Sequence, residues 1–213
     1  MSVSNTATTE SDQKRDAILA QAITTFAREG FRNADVQVIA DRAGVGKGTV
    51  YRYFGNKEDL FWATTLAVSS RLEERLLEAM KGVDGALAQL RAVGRTYAEF
   101  FRDHPEYLEI FVQERAEFRG SAPESHVEHH RELIDRYAQV IDQGIAAGEI
   151  RPVDVRQAIV ALGGLMYGAV VQACYVSIDH AVAGAVHYGL DIFLDGLRAD
   201  SSTGGSPAQG TRT

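Results

Sequence analysis

Apolar residues recur at every third or fourth position over most of this chain, which is the period of an α-helix with one buried face. Glycine and proline fall mainly where this period breaks, and the sequence contains neither an alternating strand-like segment nor an Asn-Gly hairpin signal. The pattern therefore predicts an all-α fold of about nine helices. With 213 residues, of which 45% are hydrophobic, the chain can bury a core of ordinary size.

Three short helices are predicted at the start of the periodic region. The first covers about residues 12–29 and ends at Gly30, which suits a left-handed position after a helix. Asp35 can cap a second helix, and the turn Gly44-Val45-Gly46 leads into a third that ends near Tyr53. Two short helices joined by a glycine-containing turn make a helix-turn-helix.

Six longer helices are predicted after this module. Asn56 caps the fourth helix, Asp84 opens the fifth, and His104-Pro105 separates the fifth from the sixth, because a residue before proline avoids the helical conformation. The last three cover about residues 124–147, 154–177 and 180–198.

Composition divides the chain into four parts. Residues 1–11 and 199–213 are rich in small and polar residues, so both are predicted to be disordered tails. Between them we expect the helix-turn-helix module at residues 12–57 and a larger helical domain at residues 58–198.

The net charge of -7 argues at first against nucleic acid as a partner. The acidity is concentrated in residues 61–200, however, with 13 basic and 21 acidic residues, whereas residues 12–60 hold eight basic and seven acidic ones. Within residues 44–57 there are three cations and no carboxylate. This segment can therefore attract a polyanion although the whole chain is acidic.

The segment AGVGKGTVYRYFGNKEDLF, at residues 43–61, resembles the DNA-binding signature of the TetR family, in which a string similar to AGVSKGTLYRYFxSKExL forms the recognition helix and enters helix four. The similarity extends upstream over about a fifth of the chain, and GEIRPVDVRQA precedes the eighth helix as in many members. The resemblance implies a dimeric transcriptional regulator, in most cases a repressor, whose C-terminal domain binds a small effector.

The residue types in this segment suit DNA. Small residues at the start of a recognition helix let the backbone amides approach phosphate, Lys47 and Lys57 can contact phosphates, and Arg52 can read guanine. Val50 and Phe54 are predicted to form the buried face. The full set of predicted DNA-binding residues is Lys14, Arg15, Gln37, Gly46, Lys47, Gly48, Thr49, Tyr51, Arg52, Tyr53 and Lys57.

Two positions depart from the family pattern, which often has Ser or Thr where this chain has Asp35 and Gly46. Asp35 can still cap a helix, but its charge would repel a nearby phosphate. Contacts from the start of helix two are therefore open, with Gln37 or Arg32 as replacements.

The eighth and ninth helices carry apolar residues on opposing sides. One chain has a single body core to cover one of those sides, so we expect the other to pack on a second copy as a two-fold, four-helix interface. Leu190 and Phe193 are the predicted interface residues.

Aromatic residues on helices five to eight suit an apolar effector pocket with a few polar groups, although the same pattern is typical of a plain helical core. Trp62 is interpreted as packing the DNA-binding module onto the body. The predicted effector residues are Tyr97, Phe101, Phe111, Glu114, His130, Tyr137, Met166 and Tyr167.

Other site types are disfavoured. His126 and His130 have metal-ligand spacing but lack an obvious third ligand, and the single cysteine, Cys174, is interpreted as core packing. No metal or cofactor is predicted. A helical enzyme and a ligand-independent DNA-binding protein stay as alternatives, although no Gly-rich phosphate loop or nucleophile elbow occurs. No continuous apolar run approaches the length of a membrane span and no signal peptide is recognisable, so we expect a cytoplasmic protein.

Overall fold

The computed structural model describes residues 3–118, 120–176 and 181–199, and these residues form nine α-helices. An isolated antiparallel bridge joins Ile150 to Arg198. The predicted all-α fold is confirmed. The helices are α1 (Val3–Asn33), α2 (Val36–Arg42), α3 (Lys47–Phe54), α4 (Lys57–Met80), α5 (Ala86–Asp103), α6 (Pro105–Glu117), α7 (Glu124–Ala146), α8 (Val155–Val176) and α9 (Ala181–Leu197).

Helix α1 starts earlier than the sequence predicts. It begins at Val3, so the interpretation of residues 1–11 as a disordered tail is corrected for all but the first two residues, which lie outside the described part of the chain. The extension is polar and has no apolar stripe, which is why periodicity did not reveal it. Its support is local, as in the Nζ–Oε1 ion pair of 2.6 Å between Lys14 and Glu10.

A kink at Gly30 ends the regular part of α1, where φ is 77° and ψ is 155°. Glycine reaches this positive φ without the steric cost that a Cβ would bring. The sequence predicts that the helix ends at Gly30; the backbone does leave the helical conformation there, but α1 continues beyond this kink to Asn33. At the other end of the chain Ala199, placed by the sequence in the second tail, donates a backbone hydrogen bond to Glu149 O at 3.1 Å.

The core of the N-terminal module is shared with α6. Phe26 of α1, Ile39 of α2 and Val50 of α3 are fully buried together, and so are Phe61 of α4 and Ile110 of α6. A boundary at residue 57 therefore divides the sequence but not this core. Residues of α4 and α6, which belong to the C-terminal domain, complete the core of the module.

Helix α5 is the centre of the C-terminal domain, because it packs against α4, α6, α7, α8 and α9. Leu90 and Phe101 are almost fully buried on α5, and Leu190 of α9 is buried against Gly94. A Cβ at Gly94 would overlap the Leu190 side chain, so α5 and α9 approach each other more closely here than a side chain on α5 would allow.

Residues Val155–Gln172 of α8 are long and apolar enough, by length and composition, to cross a membrane, with a mean hydropathy of 1.2. The sequence interpretation concerned continuous apolar runs and did not identify this segment, because a mean over 18 residues tolerates polar residues such as Arg156 and Gln157. In the fold, Leu162, Met166 and Val170 are buried among residues of α5 and α9. These residues form the inner face of α8, but only 28% of the segment is buried and Val160 is 64% exposed, so the helix also has an apolar outer face.

The start of α5 differs from the sequence prediction. Asp84 does not cap this helix; it begins after Gly85, which has a φ of 89° and no side chain to offer. The carboxylate of Glu149 takes this place by accepting hydrogen bonds from Ala86 N at 2.7 Å and Leu87 N at 2.9 Å. These amides are two of the donors that a helix start leaves without partners.

We expect Glu149→Ala to lower the free energy of unfolding by about 1–3 kcal/mol, because two half-buried amides lose a charged acceptor. Urea denaturation monitored by circular dichroism measures the change. Asp142→Ala, at an exposed position of α7, is the matched control. Equal stability of both variants would show that the Glu149 carboxylate contributes nothing to α5.

Candidate nucleic-acid interface and effector region

The helix-turn-helix consists of α2 and α3 with a short turn between them. Asp35 caps α2, because its Oδ1 accepts a hydrogen bond from Gln37 N at 2.8 Å. In the turn, Gly44 has a φ of 69°, and Val45 N donates to Ala40 O at 3.0 Å. The predicted cap and turn are confirmed.

One face of α3 holds it in the module. Val50 is fully buried and Phe54 is 8% exposed, both in the core that α1 and α2 supply, as the sequence predicts. The other face carries Tyr51 and Arg52, which are exposed, and Thr49, which is half-buried. This outer face is available to a partner.

Two glycines lie at the start of α3. Gly46 precedes the helix in an extended conformation, and Gly48 lies within its first turn. Both are exposed, and a Cβ at either would meet no atom of the chain within 4 Å. Packing within the chain therefore does not require glycine here. What the two glycines provide is open space beside the helix N-terminus, where backbone N–H groups can approach an anion.

Lys47 and Asp35 form an ion pair at the edge of this space. Lys47 Nζ lies 3.5 Å from Asp35 Oδ1, and both side chains are exposed. The hydrogen bond from Gln37 N, and then Lys47, hold the pKa of Asp35 below its usual value, so the carboxylate is ionised. The repulsion that Asp35 would exert on a phosphate is therefore partly offset by its neighbour.

Lys57 is engaged within the protein. Its Nζ donates to Arg32 O at 3.0 Å and lies 5.2 Å from the centre of the Phe31 ring. Partial burial lowers the pKa of Lys57, and the nearby Asp35 opposes this effect. Lys57 thus joins the C-terminal end of α1 to the start of α4, a contact that spacing in the sequence does not reveal.

The N-terminal half of α1 lies beside α3. The hydroxyl groups of Ser11 and Tyr53 are 3.1 Å apart, and the guanidinium of Arg15 lies 5.6 Å from the Phe54 ring. The guanidinium of Arg52 lies 5.6 Å from the Tyr53 ring. Arg15, Arg52 and Tyr53 are therefore brought together around α3.

Two other predicted contact residues have partners on their own helices. Lys14 pairs with Glu10, and the hydrogen bond between them raises the pKa of Lys14. Gln37 Nε2 donates to Asp41 Oδ1 at 2.8 Å. Both side chains are exposed, so these contacts can exchange for contacts with a partner.

Gln113 of α6 ties the C-terminal domain to the kinked end of α1. Its Oε1 accepts from Phe31 N and its Nε2 donates to Phe26 O, each at 2.8 Å. One helical turn later, Glu117 Oε2 accepts from Arg32 Nε at 2.7 Å. Gln113 was not predicted from the sequence, because its partners lie more than 80 residues away, beyond the reach of any local pattern. Arg32, which the sequence offered as an alternative phosphate contact, therefore pairs with Glu117 within the protein.

Most predicted effector residues pack together inside the C-terminal domain. The rings of Tyr97 and Phe101 are 4.9 Å apart and those of Phe101 and Phe111 are 5.9 Å apart. Tyr167 packs on the same cluster, and Met166 is buried in the adjoining one. The cluster is apolar apart from the hydroxyl groups of its tyrosines.

Tyr137 contributes a buried hydroxyl that has no hydrogen-bond partner in the described part of the chain. Burial, and then the charge of Glu73, raises the pKa of Tyr137, and burial likewise raises the pKa of Tyr97. Both phenols are therefore neutral at physiological pH. An unpaired buried hydroxyl costs free energy unless something else supplies the partner.

Glu114 and His130 lie apart from this cluster. Glu114 lines a cavity beside Trp62 and Phe118, and its Oε1 is 3.6 Å from His126 Nε2. His130 is on the outer side of α7, where partial burial and then His126 lower its pKa. Trp62 is buried and also lines this cavity, and its ring contacts are with Phe61, Phe118 and His126. Its role in packing the DNA-binding module onto the body stays a prediction, because these three partners all lie after residue 57.

The histidines of α7 do not assemble a metal site with other ligands in the residues that the structure describes. His126 faces Glu114, whereas His129 Nε2 lies 3.5 Å from Glu73 Oε2. The side chain of Cys174, interpreted above as core packing, lies outside the described residues.

Comparison with known families agrees with this arrangement. Residues 18–64 match the N-terminal model of the bacterial regulatory proteins of the tetR family, and residues 83–170 match a tetracyclin repressor-like C-terminal domain. The fatty acid metabolism regulator protein of Bacillus subtilis is 30% identical over 147 residues, which cover 66% of this chain and 73% of that protein. The transcriptional regulator RutR of Escherichia coli is 28% identical over 149 residues, 68% of each chain.

Solved structures share the fold. The fatty acid degradation regulator FadR of Bacillus halodurans has a TM-score of 0.74 at 22% identity, over 86% of this chain and 99% of that one. A TetR family regulator of Marinobacter aquaeolei has a TM-score of 0.73 at 21% identity, over 90% of this chain and 99% of that one.

We expect Arg52→Ala to reduce discrimination between sequences by about 1–3 kcal/mol for each base pair that Arg52 reads. Lys47→Ala should instead weaken binding to all sequences and lower the salt slope by about one. Fluorescence anisotropy with the operator and with single-base variants, at several salt concentrations, measures both effects.

Arg28→Ala is the control, because it removes the same charge from an exposed position of α1. The assignment fails if Arg52→Ala and Lys47→Ala together bind the operator as the parent does.

Proposed function

We propose that this chain, which belongs to the TetR family of bacterial regulatory proteins, is a repressor. It binds a palindromic operator as a dimer, and it leaves the operator when a small molecule binds the C-terminal domain. Family membership makes the chain a DNA-binding transcriptional regulator rather than an enzyme. The observation that carries the proposal is the exposed outer face of α3, with open space at its start and basic residues beside it.

In this proposal α3 lies in the major groove. Gly46 and Gly48 let the start of the helix approach a phosphate, Lys47 binds the backbone, and Arg52 reads base edges. Tyr51 contacts sugar or a thymine methyl group. Lys57 acts chiefly by holding α1 against α4, with its remaining N–H groups directed to phosphate. Such a protein acts in the cytoplasm, where bacterial DNA lies.

The outer face of α8 and α9 is our proposed dimer interface. Val160, Tyr188 and Ile192 are 64%, 72% and 57% exposed, although all three are large and apolar. Cβ atoms at Gly163 and Gly164 would meet nothing within 4 Å, so a helix of a second copy has room to approach. An exposed apolar patch of this kind is typical of an interface.

This assignment replaces the residues named from the sequence. Leu190 is 1% exposed and contacts Gly94, and Phe193 packs on the core of the same chain. Both belong to the inner face of α9. Periodicity shows that α9 has two apolar faces, but it does not show which one the chain itself covers.

Two copies joined through α8 and α9 carry two α3 helices. A palindrome is read when these helices are about 34–36 Å apart, or a multiple of this distance, along one side of the DNA. A change in the angle between the domains alters this spacing. An effector that prefers the altered form therefore weakens operator binding by the same coupling free energy with which DNA weakens effector binding.

We propose that helix α6 transmits this change in the angle between the domains. Its Ile110 is buried in the core of the N-terminal module, whereas Leu108 and Phe111 pack in the C-terminal core. Gln113 and Glu117 hold the end of α1. A shift of α6 caused by an effector among the aromatic residues must therefore move α1.

The effector that we propose is largely apolar with one polar group. The aromatic cluster around Phe101 and Phe111 suits an apolar body, and the unpaired Tyr137 hydroxyl suits a polar atom. Two similar proteins are named as regulators of fatty acid metabolism or degradation, which accords with an apolar effector. A DNA-binding protein without an effector is the second candidate, and a screen of apolar molecules for operator release separates the two.

We expect the double variant Tyr188→Asp/Ile192→Asp to be monomeric at micromolar concentration, because burying two unpaired charges at an interface costs several kcal/mol. Sedimentation velocity measures the state. Gln139→Asp, on the exposed side of α7, adds the same kind of charge elsewhere and should stay dimeric. A double variant that sediments as a dimer would place the interface on another surface.

We expect Gln113→Leu to leave the operator affinity of the effector-free protein within a few-fold of the parent and to reduce release by an effector. The variant removes both hydrogen bonds to α1 at similar volume, at a cost of about 1–3 kcal/mol. Amide hydrogen exchange at Phe31 should become faster, because its N–H loses the Gln113 acceptor. This exchange rate measures the weakened contact between α1 and α6 without any effector. Unchanged exchange at Phe31 and unchanged release would contradict the coupling; Gln139→Leu is the control.

A further inference from the structure

A cavity of about 330 Å³ lies beside Phe118, a residue that packs against the core of the N-terminal module. It lies between α4, the end of α6 and the connection to α7, apart from the aromatic cluster around Phe101. Its volume is at the small end of the range for ligand sites, so it suits a molecule with few atoms. In the described part of the chain it is lined by Trp62, Glu114, Arg115, Phe118, Gly120 and Ala122.

Two aromatic rings form the apolar wall. The rings of Trp62 and Phe118 are 5.0 Å apart and inclined at 50°, so they do not stack on each other and each can contact an occupant. Trp62 is only 7% exposed, and the centre of its ring lies 5.1 Å from that of His126 in a T-shaped arrangement, so neighbouring side chains restrict the ring. Indole is the aromatic side chain that attracts a cation most strongly.

Glu114 supplies the charge beside these rings. Its carboxylate is 22% exposed, and His126 lies 3.6 Å away, beyond the 2.7–2.9 Å or so of a strong charged hydrogen bond. A carboxylate has about four acceptor positions, so it can take further N–H donors. Arg115 lies at the same cavity and repels a cationic occupant, but its side chain is exposed, so solvent and salt weaken this repulsion.

We propose that this cavity binds a small organic monocation with a planar apolar body, its charge beside Glu114 and its body against Trp62 and Phe118. Phe118 also packs on Phe31 at 4.9 Å and on Phe61 at 5.3 Å. An occupant that displaces Phe118 therefore disturbs the packing of Phe31 and Phe61 in the core of the DNA-binding module. Binding at this cavity then alters operator affinity, and the cavity is separate from the proposed effector cluster.

The chain contains one tryptophan, so the fluorescence of Trp62 reports occupancy directly and without DNA. We expect benzylammonium to change this fluorescence saturably, and to bind about tenfold more tightly than benzyl alcohol, which has the same shape without the charge. Benzoate should bind more weakly still. Equal affinities for benzylammonium and benzyl alcohol, or no change at millimolar concentration, would overturn the site.

Glu114→Gln keeps the size of the side chain and removes its charge, so it should abolish the preference for benzylammonium over benzyl alcohol. Glu109→Gln, an exposed position on the same helix, is the matched control and should keep the preference. A preference that survives Glu114→Gln would refute the role of the carboxylate.

The regulatory step has its own readout, which is operator affinity with benzylammonium present. A changed affinity supports the step, and an unchanged affinity at saturating Trp62 signal overturns it. Failure of the chain to bind any operator would overturn the proposed function instead, whereas the Trp62 titration would still decide whether the site exists.

Discussion

The burial of Ile110 in the core of the N-terminal module is the contact on which the rest of the arrangement depends. The residue belongs to α6, yet it is fully buried beside Phe26 and Phe61. A module of one long and two short helices has too little apolar surface to be stable alone, and here α4 and α6 complete its core. The orientation of the DNA-binding face is thus set by the same helix whose other side lies in the C-terminal core.

Local rules in the sequence predicted what local physics decides. Asp35 and Asn56 cap their helices, since each side chain accepts from a backbone N–H two or three residues on, and Gly30 takes the positive φ that breaks the regular part of α1. Val50, by its spacing, was correctly assigned to the inner face of α3. In each case the partner lies within one or two turns, where residue type and spacing specify the geometry.

Contacts between distant segments were not predictable in the same way. Glu149 caps a helix that starts 63 residues earlier, and Lys57 donates to a carbonyl of α1. Nothing near either residue marks it for that contact. The same limit explains the exchange of Leu190 for Tyr188 at the proposed interface, because two apolar faces of one helix look alike until the neighbouring helices are placed.

The extension of α1 has a practical consequence for laboratory handling. Ser11 contacts Tyr53 on α3, and the helix continues from there back to Val3, a further eight residues or roughly 12 Å. Anything fused to the amino terminus is therefore delivered next to the recognition helix. A purification tag at that end would compete with, or add charge to, the surface whose affinity is being measured, so tag-free protein is the sound reference for binding studies.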